Sequence, residues 1–186
     1  MKKIFLAGAL ATALLVTVQS CKGQNTIVVN REVETEKGKM LLGHQTLDQF
    51  SKEPYSEWYT KEYNEYFIDK KAVEELKKEN LNSFNILVFV GTWCSDSHRE
   101  FPRLIRILDE LKYPHSRLTI IAVNRKKESP TGDEGIHNVH KVPTIIVSKY
   151  GKETGRIIES TQSGYLERDL LEIIKKHDPS IKDILK

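Results

Sequence analysis

Strands and helices in alternation, an α/β architecture, are what these 186 residues encode, on three observations. Ile86-Leu-Val-Phe-Val90 is an unbroken apolar run, the pattern of a strand covered on both faces. Leu118 to Val123 is a second run of the same kind. Between them Phe101, Leu104, Ile105, Leu108 and Leu111 recur at helical spacing. With 39% hydrophobic and 30% charged residues the composition is that of an ordinary globular chain and excludes a disordered or collagen-like one.

Taken in order, the chain begins with Lys2 and Lys3 before an apolar stretch from Ile4 to Val18. That stretch is short of the roughly 20 residues a span needs and suits a secretory signal peptide. Ser20 and Cys21 close it, and residues 1–20 resemble a bacterial lipoprotein signal, which implies that Cys21 receives lipid and becomes the mature N-terminus. A lipidated Cys21 is a thioether, so of the two cysteines only Cys94 keeps a thiol. Residues 21–45 are mostly polar, with short apolar clusters at Ile27–Val29 and Met40–Leu42, and read as a tether; the first cluster is alternatively a short strand. The folded unit is then 46–186, starting with an aromatic-rich extension (Phe50, Tyr55, Trp58, Tyr59, Tyr63, Tyr66) interrupted by Pro54.

Asp69 is placed to cap a helix running to about Glu79, with Val73 and Leu76 on its apolar side. The strand at Ile86–Val90 follows, then Gly91-Thr92-Trp93-Cys94 and the helix through Leu111. After the second strand, Asn124-Arg-Lys-Lys127 opens a polar loop containing the turn signal Ser129-Pro-Thr-Gly132. Val142-Pro-Thr-Ile-Ile-Val147 and Thr154–Ile158 flank Lys149-Tyr-Gly-Lys152 as a hairpin. Leu166, Leu170, Ile173 and Ile174 mark a last helix.

With Trp93-Cys94 at the end of a central strand, the stretch from about Tyr63 to His177 resembles the thioredoxin superfamily. The matching residues are Trp93-Cys94 with Ser97 at the family's second cysteine position, Pro102 in the active-site helix, Val142-Pro143-Thr144 at the cis-proline loop, and the hairpin around Gly151. The resemblance implies a central mixed β-sheet flanked by helices, with an N-terminal extension, and a cis peptide before Pro143. It also implies that Trp93, Val142, Pro143 and Thr144 form the substrate-binding surface beside Cys94, where an extended peptide pairs with the backbone next to the proline.

A cysteine at a helix N-terminus meets unpaired N–H groups and the helix dipole, both of which favour the reactive thiolate. Ser97 lies one turn further on, where its hydroxyl can donate to that thiolate, and a protonated His98 would help; Asp96 opposes it. Ser97 cannot resolve a mixed disulfide as a second cysteine would. Val88 stands where two-cysteine relatives carry a buried acid. The residues therefore point to monothiol thiol–disulfide exchange at Cys94, with a client protein or a small thiol, in a lipid-anchored protein of the bacterial envelope, the outer membrane's periplasmic side by resemblance to lipoproteins. No cofactor is called for.

Two alternatives remain on sequence. One is a binding or chaperone module that keeps the groove without turnover. The other is copper or zinc held by Cys94 and His98, with His137 and His140 nearby, against which the lack of a Cys-x-x-Cys pair counts. Near-balanced charge, 29 basic against 26 acidic residues, excludes a nucleic-acid partner as the leading idea. Thr92 lies two residues before Cys94, whereas peroxidase-type thiols of the superfamily have threonine three before. Arg99, Arg103 and Arg106 read as the solvated side of their helix.

Overall fold

The structure, a computed structural model, describes residues 27–176; the signal segment, Cys21 and residues 177–186 lie outside the described residues. Its centre is β3 (Phe84–Val90), the apolar run read from sequence, extended by two residues at its start. It pairs in parallel with β4 (Leu118–Ala122) and antiparallel with β5 (Thr144–Lys149), which turns back into β6 (Lys152–Ile158). Two further strands, β1 (Arg31–Thr35) and β2 (Gly38–Gln45), complete a six-stranded mixed sheet in the order β1-β2-β4-β3-β5-β6.

That hairpin corrects the reading of residues 21–45 as a tether: from Arg31 onward they belong to the sheet, with Gly43 opposite Ala122 and Gln45 opposite Ile120 on β4. Its apolar alternation is hidden because the buried positions of β2 are Leu41, Gly43 and Gln45, only one of them strongly hydrophobic. Gly43 has φ +79°, and a Cβ there would stand 3.4 Å from Cδ of Pro130. Gln45 lies among backbone carbonyls, its Nε2 donating to Leu42 O at 3.0 Å.

Alternate residues of the central strands feed two apolar clusters. Ile86, Val88 and Val90 of β3, Ile120 and Ala122 of β4, and Ile145 and Val147 of β5 face the larger one, which holds Phe101, Leu104, Ile105 and Leu108 of α3 (Ser95–Glu110) and Leu166, Leu170 and Ile174 of α5 (Leu166–Lys176). Phe89, Ile121 and Ile146 point the other way, under Val139 and Val142 of the long loop that carries the single turn α4 (Asp133–Ile136). The aromatic-rich extension packs as a short 3-10 turn and α1 (Ser56–Glu65) against α3: Phe50, fully buried, sits 4.5 Å from Phe101 between ring centres. α2 (Lys70–Leu76) is capped by Asp69, whose side chain accepts from the N–H groups of Lys71 and Ala72, as the sequence predicts.

One buried carboxylate links these layers. Glu167, fully buried in α5, accepts a hydrogen bond from Tyr66 Oη at 2.6 Å and another from the backbone N–H of Asp69. Asp69 in turn pairs with Arg168. Charge at Glu167 is thus met by two donors, the condition under which a buried carboxylate is tolerated.

Candidate thiol site

Cys94 is the N-cap residue of α3, extended at φ −104° and ψ 124°, directly after the chain leaves β3. Its N–H donates to Gly91 O at 2.9 Å, closing the turn, and its carbonyl accepts the N–H of His98 at 2.9 Å. The Sγ is half-buried against the smaller apolar cluster and donates to Val142 O at 3.3 Å. The peptide bond that follows Val142 is cis, as the resemblance implies. Helix start, thiol and proline loop therefore meet. The fold is thioredoxin-like.

No protein-family model matches the chain, and no curated protein matches it. Among solved structures it is similar to a protein of unknown function from Pseudomonas aeruginosa, at 15% identity over 65% of this chain and 81% of that one, with a TM-score of 0.48. It is similar also to mitochondrial thioredoxin 3 from Saccharomyces cerevisiae in its oxidized form, at 19% identity over 62% and 98% of the two chains with a TM-score of 0.36. Thioredoxin O2 from Arabidopsis thaliana, in the oxidized state, gives 18% identity over 59% and 89%, TM-score 0.36.

The structure brings the other sequence-nominated residues together, in roles that differ from those expected. Ser97 is buried at 1% exposure, and its Oγ accepts from Gly91 N–H at 3.1 Å, so it ties the end of β3 to the first turn of α3. Val142 is 3% exposed, Thr144 1%, and Pro143 is buried too, so the three residues named for a substrate surface are covered, side chain and backbone alike. Thr144 Oγ1 donates to Lys141 O at 2.7 Å, and Pro143 O accepts from Glu159 N–H at 2.7 Å, so the loop is pinned from both sides.

Trp93 is half-buried and lies flat on Gly91: a Cβ at that glycine would come within 2.8 Å of Trp93 Cε2. Its indole N–H donates to Val123 O at 2.9 Å. The Arg125 guanidinium sits 5.4 Å and the Lys127 ammonium 5.9 Å from the ring centre, within cation–π range. Neither residue was nominated from sequence; the signal available was three consecutive cations on the loop leaving β4, the strand parallel to β3.

His98 does not stand free beside the thiol. Its ring stacks on Trp58 at 4.3 Å between centres and 10° between planes, and its Nε2 lies 2.8 Å from Thr92 O. A carbonyl only accepts, so Nε2 carries a proton and offers no lone pair to a metal. Among the described residues no group of three or more His, Cys, Asp or Glu side chains is placed to hold a metal ion. His140 is engaged with Asn138 Oδ1 at 2.8 Å, and His137 packs 5.9 Å from Phe89. Thr92 is itself held, its Oγ1 accepting from Leu41 N–H at 3.2 Å, so the β1–β2 hairpin braces the site. Asp96 pairs at 2.9 Å with Arg99, which also holds the buried Glu100 at 2.7 Å.

Proposed function

We propose that the protein performs monothiol thiol–disulfide exchange through Cys94. The thiolate of Cys94 attacks one sulfur of a partner disulfide, forming a mixed disulfide and breaking the partner's S–S bond; the departing thiolate takes up a proton. The partner is a client protein or a small thiol in its oxidised form, and an external thiolate then attacks the partner's sulfur in the mixed disulfide, forming a new disulfide with it and expelling the Cys94 thiolate, since Ser97 supplies no second sulfur. The observation that carries this reading is the placement of a partly buried Cys94 at the start of a sixteen-residue helix, its Sγ 3.3 Å from the backbone of the cis-proline loop.

Incubation with oxidised glutathione followed by mass spectrometry tests it. One glutathione adduct on Cys94, reversed by dithiothreitol and absent from Cys94→Ser, is the expected outcome; an unmodified thiol refutes the reading.

A second reading, a groove that binds without turnover, is favoured by one feature: the thiol proton is already given to Val142 O, which restrains the sulfur. Full biological function in Cys94→Ala would select it.

The proposal extends to location. With lipid on Cys21, the nine residues 22–30 precede β1 and hold the domain within about 30 Å of a bacterial envelope membrane. Partition of the full chain into a detergent phase, lost in Cys21→Ala, is the expected result.

A further inference from the structure

The loop after β4 presents fixed positive charge to the rim of the thiol site. Asn124 organises it: Oδ1 accepts from the N–H groups of Lys126 at 2.8 Å and Glu128 at 3.0 Å, while Asn124 O accepts from Lys127 N–H at 2.9 Å. Arg125 and Lys127, two apart on this closed turn, both reach the indole of Trp93, the residue next to Cys94. Among the described residues neither they nor Lys126 has a carboxylate within ion-pair distance; Glu128 of the same turn accepts from Asn124 Nδ2, and Asp96, the acid nearest Cys94 along the chain, pairs with Arg99. Arg125 also borders a surface hollow of about 390 Å³ between this loop and the β1–β2 turn, whose lining includes Lys37 and Lys126 as well as Glu36 and Glu128.

We propose that Arg125 and Lys127 select the partner of Cys94, favouring disulfides whose sulfur-bearing groups carry carboxylates, whether a small anionic disulfide or an acidic segment of a client. This rests on the exchange reading above and names its substrate class. Trp93 supplies an apolar platform beside the sulfur, and the two cations over it lower the energy of an approaching anion. An attacking thiolate and an anionic partner otherwise repel, so the effect acts on encounter and on the developing charge of the leaving thiolate. Field focusing of this kind raises association rates by roughly 10- to 1,000-fold in strong cases and fades with salt.

The test uses three small disulfides: dithiodiglycolate, bis(2-hydroxyethyl) disulfide and cystamine, being anionic, neutral and cationic. Second-order rates of adduct formation on Cys94 are measured by mass spectrometry, each divided by the neutral probe's rate. The expected anionic-to-cationic ratio is about tenfold higher in the native chain than in the Arg125→Gln/Lys127→Gln variant at low salt, with Arg125→Lys close to native and the difference gone at about 1 M salt. Equal ratios in native and double variant, with Cys94 still forming adducts, overturn the selection by charge alone. Absence of adducts with all three probes overturns it together with the exchange chemistry. An acidic disulfide-bonded peptide compared with its amidated form then separates a client from a small-molecule partner: preference for the acidic peptide assigns the client, and equal rates with preference for dithiodiglycolate assign the small molecule.

Discussion

Replacing Gly91 by alanine puts one methyl group where the site has least room. The Cβ would stand 2.8 Å from Cε2, 3.0 Å from Cζ2 and 3.1 Å from Nε1 of Trp93. Gly91 does not have positive φ, so the backbone accepts alanine and the cost falls on the indole. Displacing it breaks the Nε1–H bond to Val123 O, about 1 kcal/mol net, and adds packing strain of about 1–3 kcal/mol. The smaller entropy of the unfolded alanine chain offsets about 0.4–1 kcal/mol. A net loss of about 2 kcal/mol follows, measured as a lower urea midpoint at unchanged slope. In a Trp93→Ala background the same substitution is expected to be neutral or stabilising, so the double-mutant cycle gives a coupling of at least about 2 kcal/mol. Native-like stability of Gly91→Ala, or an equal loss in both backgrounds, would refute the proposed packing of Trp93 on this glycine.

Three other outcomes are expected. Glu167→Ala strips the acceptor from Tyr66 Oη and from Asp69 N–H and is expected to destabilise by about 3 kcal/mol in denaturant titration, with Glu167→Gln in between. Alkali weakens the fold: burial pushes the Tyr113 phenol up to about 12, and Tyr55, Tyr59 and Tyr66 upward as well, while unfolded tyrosines ionise near pH 10. The folded state thus holds more protons than the unfolded one in that range; the contribution is whole below about pH 9 and falls as pH rises, Tyr113 accounting for a loss of about 2 kcal/mol by pH 12, and Tyr113→Phe flattens the decline between pH 10 and 12. Ser97→Cys places a second sulfur one turn from Cys94, and mild oxidation is expected to remove two titratable thiols per chain, against none by internal pairing in the native sequence.

The central strands and their helix were legible because burial on both faces leaves an unmistakable apolar run, and the position of Cys94 follows once Val90 ends one element and Phe101 lies in the next. The β1–β2 hairpin was not legible: β1 exposes nearly every side chain, and β2 buries a glycine and a glutamine, so neither strand alternates in hydropathy. His98 illustrates a second limit. Its spacing from Cys94 is compatible with a shared face, yet Trp58, forty positions earlier, takes the ring by stacking and Thr92 O takes its nitrogen. Ser97 is expected from sequence to donate to the thiolate; what sequence does not show is that its buried oxygen also accepts from Gly91 N–H, since a hydroxyl both donates and accepts and its acceptor role depends on which backbone group is left unpaired beside it. The cations at Arg125 and Lys127 were visible as residues but not as neighbours of Trp93, because a turn organised by one asparagine side chain decides where they point.

Alkylation of Cys94 by iodoacetamide, compared between the folded chain and the chain in denaturant at the same pH, measures directly whether the fold makes this sulfur available for chemistry. A sulfur presented by the start of α3 reacts at least as fast in the folded protein as in the unfolded one. Protection by tenfold or more on folding would mean that Val142 and the surrounding apolar cluster hold an inert thiol, and the exchange chemistry would have no nucleophile.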